Sequence, residues 1–216
     1  MTQTKANKSM RLLWRSTDQR AWEQAENRYW DFLKPDHVDL EHRMEALTLK
    51  RLRQMDAAEW YTFLRDDYLK WKYTANNRRA TVSRQLKKYV DTGTLNVLDG
   101  IRERLLALDP TDIWLGLLIA DQIKGLGPAG ASGLLALFYP QTFGTVDQFA
   151  VKALRDVTGL PEAAAIARMK PESLSVDDGV VLIGVMQRKA TELNQTFATN
   201  TWTPRRIDKI VWQFAR

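Results

Sequence analysis

The segment from residue 111 to 154 constrains this chain most, because it combines two apolar stretches, a glycine turn and one isolated acid. The stretches from Asp112 to Ile123, with Thr111 as its cap, and from Ala129 to Phe138 are typical of buried helices. The turn between them contains Gly125-Leu126-Gly127-Pro128. Glycine permits positive φ angles and close backbone approach, and proline suits the first turn of a helix. The pattern predicts a helical hairpin whose second helix presents free N–H groups to a phosphate.

The rest of the chain also has helical periodicity, with no alternation typical of strands and no internal repeat. Residues 8–33, 38–54, 95–107 and 175–197 carry apolar residues at helical spacing. Asp56 with Glu59, and Ser175 with Asp178, are typical of helix starts. Thr74, Asn76 or Asn77 is expected to cap a helix that runs to about Asp91. An all-α fold of about ten helices is predicted.

Composition excludes several classes of site. The 216 residues include no cysteine and two histidines, which excludes disulfides, thiolate zinc sites and iron–sulfur clusters and makes a histidine-rich metal site improbable. There is no run of eighteen apolar residues, and residues 1–15 lack the apolar stretch of a secretory signal. A cytoplasmic protein that does not enter a membrane is expected.

Positive charge is concentrated in one part of the chain. The formal charge is +6, and residues 1–90 hold 19 Lys or Arg against 12 Asp or Glu. Between residues 70 and 88 there is no acid, and the basic residues are Lys70, Lys72, Arg78, Arg79, Arg84, Lys87 and Lys88. Such a cluster attracts a polyanion, although a basic helix can also be a solvated face. Its nearness in sequence to the hairpin favours the polyanion.

The hairpin segment resembles the helix-hairpin-helix superfamily of DNA glycosylases. The resemblance is carried by Gly125-Leu126-Gly127, the apolar helix Ala131 to Phe138, the loop with Tyr139-Pro140 and Phe143-Gly144, and Val146-Asp147 at a helix start. Trp202, Pro204 and Arg206 are similar to the opening of a late helix in the alkylation-repair branch. The resemblance implies a two-lobed fold in which residues 75–157 carry the hairpin and residues 1–74 pack with 158–216. The active-site cleft would lie between the lobes.

The resemblance also implies roles for individual residues. Asp147 would be the catalytic acid that stabilises positive charge on the sugar as the base leaves. Asn76-Asn77-Arg78 is similar to the asparagine run of the 8-oxoguanine branch, in which one asparagine enters the duplex. The residues expected to bind DNA are Lys124, Gly125, Gly127, Asn76, Asn77, Arg78, Arg79 and Arg84. The aromatic residues available for a base pocket are Trp71, Tyr73, Phe149 and Trp202, and each could instead belong to the core.

One departure from the family pattern predicts the type of chemistry. In the bifunctional branch a lysine stands two positions after the second hairpin glycine, and here that position is Ala129. Lys124 and Lys152 do not match it. The expected activity is therefore that of a monofunctional glycosylase that uses water and leaves an intact abasic site. Double-stranded DNA is the expected partner, with no obligate protein partner and no cofactor beyond a monovalent cation that the hairpin could hold.

Several alternatives stay open at the level of sequence. The excised base could be oxidised, alkylated or enlarged as in some phage DNA, so both base repair and antiphage defence are consistent with the pattern. A non-catalytic helix-hairpin-helix DNA-binding module or a helical protein adaptor would share these features. Asp147 also has a structural interpretation, because Thr145-x-x-Gln148 resembles a capping box that would place this acid in the first turn of a helix.

Overall fold

The computed structural model describes residues 9–215, and these residues form an all-helical fold without a strand. Among them no helix has the length and apolar character that crossing a bilayer requires. The helices are α1 (Met10–Trp14), α2 (Gln19–Asn27), α3 (Pro35–Glu45), α4 (Leu49–Gln54), α5 (Ala57–Phe63), α6 (Leu69–Lys72), α7 (Asn76–Asp91), α8 (Leu95–Leu106), α9 (Ile113–Asp121), α10 (Gly127–Phe138), α11 (Gln148–Arg155), α12 (Ala163–Arg168), α13 (Val176–Thr196) and α14 (Pro204–Phe214). A 3₁₀ turn covers Trp30–Phe32, and a π-helical turn, Leu64–Tyr68, joins α5 to α6.

Several helix ends confirm the sequence predictions. Asp56 and Glu59 form a complete capping box at the start of α5, and Ser175 with Asp178 forms another at the start of α13. The helix predicted to end near Asp91 ends there as α7. These ends were predictable because side-chain caps are local interactions.

Three helix boundaries outside the hairpin differ from the prediction. The segment 8–33 is not one helix, since Asp18 accepts a hydrogen bond from Arg20 N at 2.9 Å and starts α2 after a break; residue 8 itself lies outside the described residues. Segment 38–54 is likewise divided, by Thr48, which caps α4. The N-cap of α7 is Ala75, which has no capping side chain, rather than Thr74, Asn76 or Asn77.

The predicted hairpin is formed by α9 and α10, which pack against each other and against α13. Asp112 rather than Thr111 caps α9, through a 2.9 Å hydrogen bond from Leu115 N. Gly125 and Gly127 have φ angles of +93° and +64°, which side chains rarely adopt, and α10 begins at Gly127. The turn is short and tightly packed, so α7 can lie directly against it.

The contact between α7 and the hairpin is close. A Cβ on Gly125 would lie 3.0 Å from Cβ of Gln85, and a Cβ on Gly127 would lie 3.9 Å from a guanidinium nitrogen of Arg78. The basic helix and the glycine turn therefore form one continuous surface. The division of the chain into two lobes at residues 75 and 157 stays a prediction.

Candidate active site

Asp147 lies at the N-terminus of α11 and uses its two carboxylate oxygens differently. Oδ1 accepts hydrogen bonds from Phe149 N at 2.9 Å and Ala150 N at 3.1 Å, which makes Asp147 the N-cap of the helix. Oδ2 lies 4.0 Å from Nζ of Lys72, and the Asp147 side chain is 22% exposed. The capping box predicted for Thr145 and Gln148 is wrong, because the acid itself is the cap. One oxygen stabilises the helix, and the other is available for chemistry.

The loop before Asp147 is held from two sides. Val146 N donates to Oγ of Ser132 on α10 at 2.9 Å, and Thr145 N donates to Oδ2 of Asp208 on α14 at 2.6 Å. Gly144 permits this arrangement, since a Cβ there would lie 2.8 Å from the carbonyl oxygen of Pro204. The position of Asp147 is therefore fixed by the hairpin helix and by the last helix of the described chain.

Asp147 faces a cleft with a volume of about 330 Å³, near the lower end of the range of about 300 to 1,000 Å³ typical of ligand pockets. Aromatic rings form much of its wall: Trp212 lies 6.1 Å from Phe149 and 5.5 Å from Tyr29 between ring centroids. A cleft of this size and lining suits a single planar ring system. The lining residues are Tyr29, Phe32, Leu33, Lys34, His37, Glu41, Trp71, Lys72, Thr74, Thr145, Asp147, Phe149, Arg205, Asp208 and Trp212.

A buried network of charged groups supports the inner wall of the cleft. Glu41 accepts hydrogen bonds from Trp71 Nε1 at 2.5 Å, from the Tyr29 hydroxyl at 2.9 Å and from Arg205 at 2.5 Å. Arg205 also pairs with Asp208 at 2.8 Å. Burial alone would raise the pKa of Glu41, but Arg205, Lys209 and these hydrogen bonds hold it below its ordinary value. The indole of Trp71 is thereby fixed in one orientation.

Burial and Arg205 shift the pKa of Asp208 in opposite directions. Burial raises the pKa of Asp208 to about 6, although Arg205 and the Thr145 amide favour its ionised form. The carboxyl group is therefore ionised at neutral pH and titrates within a range accessible to experiment. Because it accepts the Thr145 hydrogen bond, its charge state bears on the loop that carries Asp147.

Lys72 is one of several cleft residues that were not predicted from the sequence to belong to the site. Its side chain is only 6% exposed and lines the cleft, and its stem packs on α10, where a Cβ on Gly133 would lie 2.9 Å from Lys72 Cδ. Burial lowers the pKa of Lys72, although the Asp147 and Asp208 carboxylates oppose that shift. In the sequence Lys72 belongs to the basic cluster of residues 70–88, and nothing in that pattern marks it as buried.

The π-helical turn Leu64–Tyr68 precedes this part of the site. Such a turn inserts an extra residue into a helix, changes which side chains face a neighbour and is frequent at functional sites. The hydroxyl of Tyr68, the last residue of the turn, donates to the Gly130 carbonyl, and after the turn Trp71 and Lys72 both line the cleft. The small residues of α10 leave room for these side chains.

Two buried polar atoms in the cleft are without a hydrogen-bond partner within residues 9–215. They are Nε2 of His37 and Oγ1 of Thr145, and both residues line the cleft. Buried polar atoms are nearly always satisfied in folded proteins, by protein, water or ligand. Both atoms are closed off from solvent, so the packing beside the cleft leaves two polar groups unsatisfied.

The four predicted pocket aromatics divide evenly. Trp71 and Phe149 line the cleft, whereas Tyr73 and Trp202 do not. The Tyr73 hydroxyl donates to the Leu126 carbonyl at 2.9 Å, and burial raises its pKa to about 12. Trp202 is 3% exposed and packs against Trp22 at 6.1 Å. Both are core residues, because the chain segments that follow α6 and precede α14 turn these rings away from the cleft.

The residues predicted to bind DNA lie together around the hairpin. Asn76, Asn77, Arg78 and Arg84 are exposed on α7, and Arg79 is half-buried beside them. Lys124 and Gly125 are exposed in the turn, and Gly127 is half-buried at the start of α10. Of the other basic residues between 70 and 88, Lys72 is withdrawn into the cleft and Lys87 pairs with Asp91. Arg78 adjoins the start of α10, the helix end that was predicted to bind phosphate.

The chain matches no protein-family model, no curated protein and no solved structure. In the described part, residues 9–215, no group of three or more His, Asp or Glu side chains is arranged to hold a metal ion. The function has to be inferred from the cleft and its residues.

Proposed function

We propose that this protein is a DNA N-glycosylase, which rotates an altered base out of duplex DNA and breaks the bond between that base and its sugar. The observation that carries the proposal is the Asp147 carboxylate. Its Oδ2 adjoins an aromatic-walled cleft while its Oδ1 caps the helix that follows the hairpin-supported loop. An acid fixed beside a pocket for a planar ring is the arrangement that removal of a base requires.

The chemistry follows from the charge that develops in the reaction. Breaking the bond between C1′ and a base nitrogen spreads positive charge over the sugar ring, and a fixed carboxylate stabilises that charge by several kcal/mol. Asp147 supplies it. Trp71, Phe149 and Trp212 offer apolar faces on which the extruded base can stack.

The surface around the hairpin accounts for binding to the duplex. Backbone N–H groups at the start of α10 contact a phosphate, and Arg78 and Lys124 supply positive charge beside it. Arg84 is exposed on the same helix as Arg78. Extruding a nucleotide costs about a few kcal/mol, which these contacts offset together with an inserted side chain such as Asn77. The same helix α10 anchors Val146 through Ser132, so phosphate binding fixes the distance from the backbone to Asp147.

The test is removal of the Asp147 charge without removal of its cap. Asparagine caps helices about as well as aspartate, so Asp147→Asn should fold normally while losing the carboxylate. We expect the rate of base release to fall by about 100-fold or more. The substrates are duplexes with oxidised or alkylated purines and phage genomic DNA with enlarged cytosines, scored for alkali-labile sites. Asp18→Asn, which alters the N-cap of α2, is the matched control and should leave the rate unchanged.

The same experiment separates the rival functions. A non-catalytic DNA-binding module would bind duplexes with a steep salt dependence, produce no abasic sites above background and be indifferent to Asp147→Asn. A helical protein adaptor would bind DNA weakly at physiological salt. Either result would refute the glycosylase proposal.

A further inference from the structure

We propose that Lys72 is the nucleophile of this site, so that the protein opens the sugar of an abasic site as well as releasing the base. The inference rests on the proposed function. It replaces the water expected from the sequence with an amine supplied by α6, outside the hairpin. Ala129 stands where the family pattern has its lysine, and Lys124 and Lys152 do not match that position.

The geometry places the amine and the acid at one point of the cleft. Lys72 Nζ lies 4.0 Å from Asp147 Oδ2, and both residues line the cleft. The Lys72 stem packs against the backbone of Gly133, so the amine is held at the inner wall and is not a mobile surface group. A sugar placed against Asp147 would therefore have its C1′ within reach of Nζ. Lys34, which also lines the cleft, is exposed.

The surroundings of Lys72 favour a reactive amine. A lysine attacks a carbon only as the neutral amine, and burial shifts the balance toward that form by lowering the pKa. Two elements place charged groups near it. Asp147 before α11 and Asp208 on α14 favour the ammonium, whereas Arg205 on α14 opposes it. A structural ion pair would instead hold Lys72 in a direct hydrogen bond, and the nearest oxygen of Asp147 is farther away than that.

The steps balance with DNA and solvent water alone. The Nζ lone pair forms a bond to C1′ while the bond from C1′ to the base breaks. The electron pair of the broken bond leaves with the base, and the base takes the proton that Nζ releases. The remaining nitrogen lone pair then forms a double bond to C1′ as the C1′–O4′ bond breaks, and O4′ takes a proton from solvent. The product is a protonated imine. Loss of a C2′ proton to water and expulsion of the 3′ phosphate with its C3′–O electrons then cut the strand.

The experiment traps the imine on a duplex that already contains one abasic site, with borohydride as the reductant. Wild-type protein should form a 1:1 covalent adduct, and mass spectrometry of the digested adduct should find the reduced sugar on Lys72. Lys72→Met keeps the length of the stem and should lose the adduct. Lys152→Met removes an exposed lysine of α11 and should retain it. Circular dichroism confirms that each variant is folded.

Each outcome decides one question. An adduct on Lys34, or an adduct that survives Lys72→Met, would overturn the assignment, and so would a wild-type protein that forms no adduct. Peptide mapping of the wild-type adduct decides the matter even if a variant fails to fold. Base release from an intact modified duplex without an adduct would sustain the glycosylase and refute Lys72. An adduct on Lys72 without release of any base would sustain Lys72 and refute the glycosylase.

Discussion

Asp208 connects the loop of Asp147 to α14, and its titration should be visible in activity. Below pH 6 its carboxyl group takes up a proton, so Thr145 N loses a charged acceptor and Arg205 loses one of its ion-pair partners. Lys72 also faces it and would lose one of its two neighbouring carboxylates. We predict that base release falls several-fold between pH 7 and pH 5. Asp208→Asn should show the reduced rate at both pH values, and a variant that keeps the wild-type pH profile would contradict the prediction.

Lowering the pH should raise the contribution of Asp208 to folding stability, whereas it should lower the rate of base release. Its pKa is raised from 3.8 in the unfolded reference to about 6, so the folded protein binds the proton more tightly. The folded state is therefore favoured below pH 3.8, and that advantage is lost as the pH rises to 6. The shift corresponds to about 3 kcal/mol. Urea denaturation of wild type and Asp208→Asn should show the wild type losing stability relative to the variant across this window.

Ser132 is the contact through which the hairpin helix positions the acid. Ser132→Ala leaves the buried Val146 N–H without its acceptor, which costs about 1 to 3 kcal/mol and loosens the loop before Asp147. We predict a lower unfolding free energy together with a lower rate of base release at saturating DNA. The control is Ser173→Ala at an exposed position, which should change neither quantity. A stable but fully active Ser132→Ala protein would show that the loop is held by Asp208 alone.

Single residues of the site were predictable where their surroundings are local. Asp147, Trp71 and Phe149 could be identified because a helix start or a cluster of aromatics and cations marks them in the sequence. Glu41, Lys72, Arg205 and Asp208 could not. They come from three distant segments, and each looks like an ordinary surface charge until packing of α3, α6 and α14 buries it. Tyr73 and Trp202 were misplaced for the converse reason, since composition does not tell which way a ring faces.

At the scale of elements, caps decided which predictions succeeded. The starts of α5 and α13 follow from local capping signals, whereas α7 starts after Ala75 without a capping side chain. The long apolar periodicity of segment 8–33 concealed the break that Asp18 introduces. The apolar pattern of the sequence did not indicate the π-helical turn Leu64–Tyr68. The turn is accompanied by a tertiary contact with α10, and such a contact leaves no local pattern. Gly125 and Gly127 did mark the hairpin in the sequence, because its turn requires positive φ angles that glycine adopts easily.

The contact between the hairpin and α7 can be tested with two glycines that both have positive φ angles. Gly125→Ala imposes strain at φ +93° and a contact at 3.0 Å with Gln85, whereas Gly93→Ala imposes strain at φ +65° with nothing within 4 Å. The strain costs about 1 to 2 kcal/mol in each variant. We predict that both are destabilised to that extent and that only Gly125→Ala loses DNA affinity. Equal DNA affinities, measured by fluorescence anisotropy, would mean that the hairpin does not contact the duplex.

At the scale of the whole molecule, the charge surplus of residues 1–90 is redistributed by folding. The Lys72 side chain is buried in the wall of the cleft, and Lys87 forms an ion pair with Asp91. Arg78, Arg84 and Lys124 remain exposed on α7 and in the adjoining turn. The sequence indicated a basic segment and a hairpin as separate features. Their union into one surface depends on the packing of α7 against Gly125, which no local pattern specifies.

That surface predicts how DNA affinity depends on salt. Each phosphate neutralised by a cation contributes about −0.9 to the slope of log affinity against log salt concentration. Replacing both Arg78 and Arg84 by glutamine should therefore make the slope shallower by about 1.8 if each contacts one phosphate. The charge-matched control, Arg168→Gln with Lys170→Gln, removes two exposed cations at the end of α12 and should leave the slope unchanged. Slopes that fall equally in the two double variants would mean that DNA is attracted by the net charge of +6 and not by the hairpin face.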